Sequence, residues 1–268
     1  MNFEDMTSMS GRFELKNTGF DPNDTVFLLL SLIPGSIYYT RHSNKKLFML
    51  ISLSVTVIDM FLIVQTGSRG GFLGLITFIA LYGAELMRGK NISRNIILVI
   101  ISVLMFSLFL YKTDQKRIFE VFSPTKDYNY TSDDGRMGIW KYAIEIISYN
   151  PILGVGASCF PEAIGGMREE RNLPQKWQTT HNTFLQLGSE IGLIGLIIFI
   201  ILMHGTYRNL NRVNVIYDNA KADNDIEYLS RCIKIGFISL IVCAFFLSQA
   251  YSMIFPFYIA IGESISEL

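Results

Sequence analysis

Three residues of this chain are of types, and in settings, that could do chemistry. They are Arg69 in Gln65-Thr66-Gly67-Ser68-Arg69-Gly70-Gly71, Arg136 behind Ser132-Asp133-Asp134-Gly135, and His181 in Thr180-His181-Asn182. Glycines around Arg69 let a ligand approach the backbone and allow positive φ. A helix starting at Gly70 or Gly71 would aim its N-terminal N–H groups and positive dipole end at that same ligand, a setting that suits phosphate. Histidine titrates near neutrality and can act as a general base, and Asn182 reads as the cap of a helix from Thr183. Arg136 stands in the first turn of a helix over 136–150, with Ile139, Trp140, Ala143, Ile144 and Ile147 at helical spacing. A cation there opposes the helix dipole, so helix stability does not explain it. Plainer readings stand beside these: an arginine snorkelling to head groups, a solvated surface arginine, a structural interfacial histidine.

The elements that must position these residues lie in a bilayer. The chain has 268 residues, 50% hydrophobic and 17% charged, with mean hydropathy +0.34, too apolar and charge-poor for an ordinary soluble domain. The formal net charge of +0, with no basic run interleaved with aromatics, disfavours nucleic-acid binding. A spanning helix needs about 20 apolar residues. Candidate spans are 25–40, 47–66, 70–87, 96–111, 183–203 and 232–250, the first carrying a Pro34-Gly35 kink or break. Residues 251–261, interrupted by Pro256, read as a re-entrant or partial helix. The fold class expected is an all-α, polytopic membrane bundle of six to seven segments. It forms a single integral membrane domain over 1–268, with one large loop at 112–182 that contains an interfacial helix.

Basic residues orient the bundle. One set of alternate loops holds eleven, from Arg41, Lys45 and Lys46 to Arg231 and Lys234; the other holds Arg12, Lys16 and Arg69. The first set is expected on the cytoplasmic side. The long loop exceeds the roughly 60-residue limit of the rule and lies outside with Arg69 and the N-terminal segment. Met1 to Asp24 is polar and lacks the basic start and apolar core of a signal peptide.

Other polar positions are read more conservatively. Asp59 and Glu190 lie within apolar runs and are costly unless paired or near water. Glu190, about two and a half turns below His181, is placed at the floor of the same cavity, and Asp59 at a bundle contact. Asp133 or Asp134 is expected to cap the 136–150 helix rather than to join Asp127 around a divalent metal. Pro151 to Gly156 reads as a structural turn, without the lysine, spacing or strand of a nucleotide-binding loop. Cys159, Cys232 and Cys243 are far apart and show no zinc-ligand spacing; the latter two read as buried small hydrophobes.

Three runs in this order, TGSRGGFLG (66–74), GRMGIWKYAIEIISYNPILGVGASCF (135–160) and HNTFLQLGSEIGLIGL (181–196), together resemble the O-antigen ligase and O-antigen polymerase superfamily of bacterial envelope glycosyltransferases. Gly19-Phe20-Asp21-Pro22-Asn23-Asp24 is similar to the family's segment before this helix set. The resemblance implies a metal-independent, cofactor-free transferase of the GT-C type in the bacterial cytoplasmic membrane, with its active face outward. Such an enzyme takes a glycan from undecaprenyl diphosphate and joins it to the hydroxyl of a glycan, lipid-linked or protein acceptor. By position, Arg69 and Arg136 match the arginines that hold the carrier's diphosphate, and His181 matches the residue that activates the acceptor. Gly70, Gly71, Asn182 and Glu190 are candidate binding residues beside them. The three residues are expected to share one outward pocket. The loop's modest size favours a polymerase over a ligase.

The resemblance covers the C-terminal half of the family's pattern, so an inactive truncated fragment is one competing reading. A membrane transporter or flippase component, with Asp59 and Glu190 as its polar pathway, is another.

Overall fold

The computed structural model describes residues 21–88, 135–220 and 225–267. Among them the regular elements are helices: α1 Pro22–His42, α2 Lys46–Gln65, α3 Arg69–Arg88, α4 Arg136–Tyr149, α5 Phe160–Glu170, α6 Thr183–Glu190, α7 Gly192–Ala220, α8 Asp225–Ala244 and α9 Ile254–Ser266. This is a helical membrane bundle. Helices α2, α3 and α7 are long and apolar enough to cross a bilayer. Leu47, Phe48, Leu50 and Ile51 of α2, and Ile194, Ile197, Ile198 and Ile201 of α7, are exposed as lipid-facing residues must be. The expected span at 96–111 lies outside the described residues, as do Asp127, Asp133 and Asp134.

The chain groups into two compact units, the first containing residues 1–118, 206–243 and 253–268, the second residues 119–205 and 244–252. In the first unit, α1, α2 and α3 pack on one another. Asp21 caps α1 in a capping box: its Oδ1 accepts from the N–H groups of Asn23 and Asp24 at 2.6 and 2.7 Å, and Asp24 Oδ2 accepts from the Asp21 N–H. Pro22 follows at N1, where a missing N–H costs nothing. Pro34 does not break α1, which runs on to His42. It lies against Gly236 of α8, where a Cβ would collide with its ring, and the Tyr258 hydroxyl of α9 donates to the Ser31 carbonyl at 3.1 Å, beside the rung that proline leaves open. Phe27 of α1 and Phe255 of α9 meet with ring centroids 5.5 Å apart.

In the second unit, α4 packs on α5 and α6 around Ile139, Ala143, Ile146, Phe160 and Ile164. The expected span at 183–203 is two helices. The break comes at Gly192, whose φ of +74° suits glycine and whose added Cβ would collide with the Ile152 carbonyl. The turn at 151–156, expected to be structural, occupies that break: Val155 N–H donates to Ser189 O at 2.9 Å, Gly156 N–H to Glu190 O at 2.8 Å, and Leu193 N–H to Pro151 O at 2.8 Å. Three other expectations are corrected. The apolar run at 232–250 is helical only to Ala244. The C-terminal helix is Ile254–Ser266 rather than 251–261, with Pro256 harmless in its first turn. The N-cap of α4 is Gly135, with no side-chain cap, not Asp133 or Asp134.

Candidate functional site

Arg69 opens α3, one residue earlier than expected, and is half-buried. Gly67 before it has φ +58°, which turns the chain sharply between α2 and α3. Ser68 locks the turn: its hydroxyl donates to Asn23 Oδ1 at 2.9 Å and accepts from the Gly71 N–H at 3.3 Å, while its own N–H donates to Thr66 Oγ1. The segment at 21–24 and the Arg69 turn are thus one hydrogen-bonded corner of the first unit. A Cβ at Gly71 would collide with the side chain of Val26, so this glycine permits the close approach of α1 and α3. Gly70 is buried in the same turn.

Arg136 and His181 belong to the second unit. Arg136, half-buried, opens α4 and lies one turn before Trp140 on the same helix face. The Trp140 indole N–H donates to the Thr180 carbonyl at 3.0 Å, and its ring meets Phe245 edge-on at 5.8 Å. The face of α4 that carries Arg136 is therefore pinned to the residue preceding His181.

His181 has φ +49°, a left-handed conformation uncommon for a residue with a side chain. A hydrogen-bond network holds it there. Its N–H donates to Ser248 Oγ at 2.8 Å. The Thr180 hydroxyl gives its one proton to the Asn182 carbonyl at 3.0 Å, so across the 3.1 Å contact between Thr180 and Ser248 the serine must be the donor. Thr183 Oγ1 donates to Leu247 O at 2.7 Å and accepts from the Gln249 N–H at 3.0 Å, and the Ala250 N–H donates to Gln186 Oε1. Residues 180–186 and 247–250 form one clamp that holds His181 in this conformation. The sequence reading missed Ser248; its signal was a polar Ser248-Gln249 pair closing an apolar run.

Asn182 and Glu190 are committed elsewhere. Asn182, buried, caps α6 as expected, its Oδ1 accepting from the N–H groups of Phe184 and Leu185 at 2.9 and 3.0 Å, so its carbonyl oxygen is spent on the helix. Glu190 is 2% exposed, and its Oε2 accepts from the Ser158 N–H at 3.0 Å and the Tyr251 hydroxyl at 2.7 Å. It ties two loops together rather than standing as an open cavity floor. Burial, and then the Glu190 carboxylate, push the Tyr251 hydroxyl above its ordinary range and keep it a donor. Asp59, 5% exposed within α2, has one carboxylate oxygen with no hydrogen-bond partner among the described residues. Cys232 and Cys243 are buried thiols as expected, and Cys159 is exposed.

A family model described as O-antigen ligase matches residues 47–200, more than half of the chain. The chain belongs to the O-antigen ligase family and is a multi-pass membrane protein. Arg69, Arg136 and His181 all fall inside the matched region. No curated protein matches the chain.

Proposed function

We propose that this chain is a glycosyltransferase of the O-antigen ligase and polymerase type, moving a glycan from undecaprenyl diphosphate to an acceptor hydroxyl on the outer face of the bacterial cytoplasmic membrane. The family match over 47–200, with all three candidate residues inside it, carries the reading. A diphosphate leaving group gathers negative charge as the glycosidic carbon is attacked. Guanidinium forks stabilise that charge bidentately, and in this reading Arg69 and Arg136 do so in place of a metal. An acceptor hydroxyl is a poor nucleophile at neutral pH. His181 takes its proton as the new bond forms, and a single displacement inverts the anomeric carbon. The locked backbone at His181 and the pinning of the Arg136 face to Thr180 support these roles, because catalytic groups must be held in place before substrate arrives.

The test is transfer itself. Membranes containing the full chain, given an undecaprenyl diphosphate-linked glycan and an acceptor, should release undecaprenyl diphosphate and give a product of inverted anomeric configuration by NMR, at a rate that EDTA leaves unchanged. Retention of configuration, or loss of activity with EDTA, contradicts the mechanism. Transport through Asp59 and Glu190 is the less supported reading, since Glu190 is buried and its Oε2 accepts from the Ser158 N–H and the Tyr251 hydroxyl.

A further inference from the structure

The first unit contains a cavity of about 310 Å³ bounded by α3, α7 and α8, with Glu85, Asn211, Asn214, Arg231 and Lys234 among its lining residues. It lies far from the Arg69 corner: Glu85 is sixteen residues along α3, about 24 Å at 1.5 Å per residue. The cavity is too large for a single ordered water and falls at the lower end of ligand-site volumes.

Its most informative wall residue is Asn214. The side chain is buried, the residue 5% exposed, and neither Nδ2 nor Oδ1 has a hydrogen-bond partner among the described residues. A buried amide orphaned at both ends costs more than a lost hydrogen bond, and such a group calls for a ligand that offers an acceptor and a donor together. The charges narrow the choice. Arg231 is paired with both Glu85 and Glu227, and Lys234 Nζ lies 3.2 Å from Asn211 Oδ1. Among the described residues, Glu85 of the lining and Glu227 behind it balance Arg231 and Lys234, which gives no general pull on an anion and suits a zwitterion. The rest of the lining is apolar: Leu81, Ile235 and Ile238 provide a surface for hydrocarbon, and Tyr207 and Val215 are exposed beside them.

We propose that this cavity binds a zwitterionic phospholipid through a phosphoethanolamine headgroup. The phosphate accepts from Asn214 Nδ2 beside the Lys234 ammonium, the primary ammonium of the lipid donates to Asn214 Oδ1 and faces Glu85, and an acyl chain follows Leu81, Ile235 and Ile238. Phosphatidylcholine, with the same phosphate but no N–H, cannot satisfy Oδ1; phosphatidylglycerol brings an uncompensated negative charge.

The full chain purified in neutral detergent, mixed with equal amounts of phosphatidylethanolamine, phosphatidylcholine and phosphatidylglycerol, is read by native mass spectrometry. Phosphatidylethanolamine should be retained about fivefold or more over each of the others, the discrimination of roughly one satisfied hydrogen bond. Asn214→Leu, which replaces a buried amide by a hydrocarbon of similar volume, should remain folded by its melting profile and lose that preference; Lys234→Met should weaken retention. Equal retention of the three lipids, a preference for phosphatidylglycerol, competition by inorganic phosphate alone, or an unchanged preference in Asn214→Leu would each overturn the proposal.

Discussion

His181 is placed by its backbone as much as by its imidazole. Left-handed backbone costs a residue with a Cβ about 1–2 kcal/mol relative to glycine, and the Ser248 and Thr180 hydroxyls hold it in that conformation. Stability and activity should therefore separate at this position. His181→Gly and His181→Ala are both expected to abolish transfer, yet the glycine variant should be the more stable by about 1 kcal/mol in thermal unfolding. Ser248→Ala leaves the imidazole present but its support gone, and should lower the transfer rate by about tenfold or more with KM little changed. Glu190 makes the opposite case, a buried carboxylate with a structural assignment. Because Tyr251 has its hydroxyl pushed above the ordinary tyrosine range, it stays protonated through neutral and mildly alkaline pH. A raised folded-state value means that the contribution is complete below the unfolded value of about 10 and is lost only as pH climbs through the folded one. Tyr251→Phe should destabilise by the same amount, about 1–3 kcal/mol, from about pH 6 to about pH 9.

At the level of elements, the corner at 21–24 and 66–71 sets where α3 begins at Arg69, and the joint at 188–193 sets where α6 gives way to α7. Gly71→Ala should cost about 1–3 kcal/mol by overpacking against Val26, and Val26→Ala in the same background should restore most of it. Thermal melting of the two variants checks the pair. The capping of α6 by Asn182 and the turn at 151–156 were legible because each is a local pattern of residue types at fixed spacing. The break between α6 and α7 was not. Gly192 lies in an apolar run where hydropathy continues unbroken, and only the approach of Ile152 and Pro151, about forty residues upstream, shows why the chain must turn there. The end of α8 was hidden in the same way, since a Phe- and Leu-rich run reads as a span whether or not it is helical. The packing of Gly71 on Val26 was hidden for a related reason: a missing Cβ serves a neighbouring helix as readily as a substrate.

For the whole molecule, family membership was legible because three spaced runs carry it, and the matched region at 47–200 contains all of Arg69 and Arg136 and His181. Ser248, at the far end of the chain from Arg69, could only emerge from a contact spanning 67 residues to His181. In the proposed mechanism the Arg69 and Arg136 guanidinium groups and the His181 imidazole perform glycosyl transfer. The measurement that tests it most directly is replacement of the native gene, in its own host, by Arg69→Ala, Arg136→Ala, His181→Ala and Asp59→Asn alleles, with envelope polysaccharide and accumulated lipid-linked glycan assayed by gel and mass spectrometry at matched protein levels. The first three alleles are predicted to lose polymer and accumulate the lipid-linked donor, and Asp59→Asn to keep polymer. Polymer at wild-type levels in all of the first three, or its loss in Asp59→Asn alone, would contradict the account.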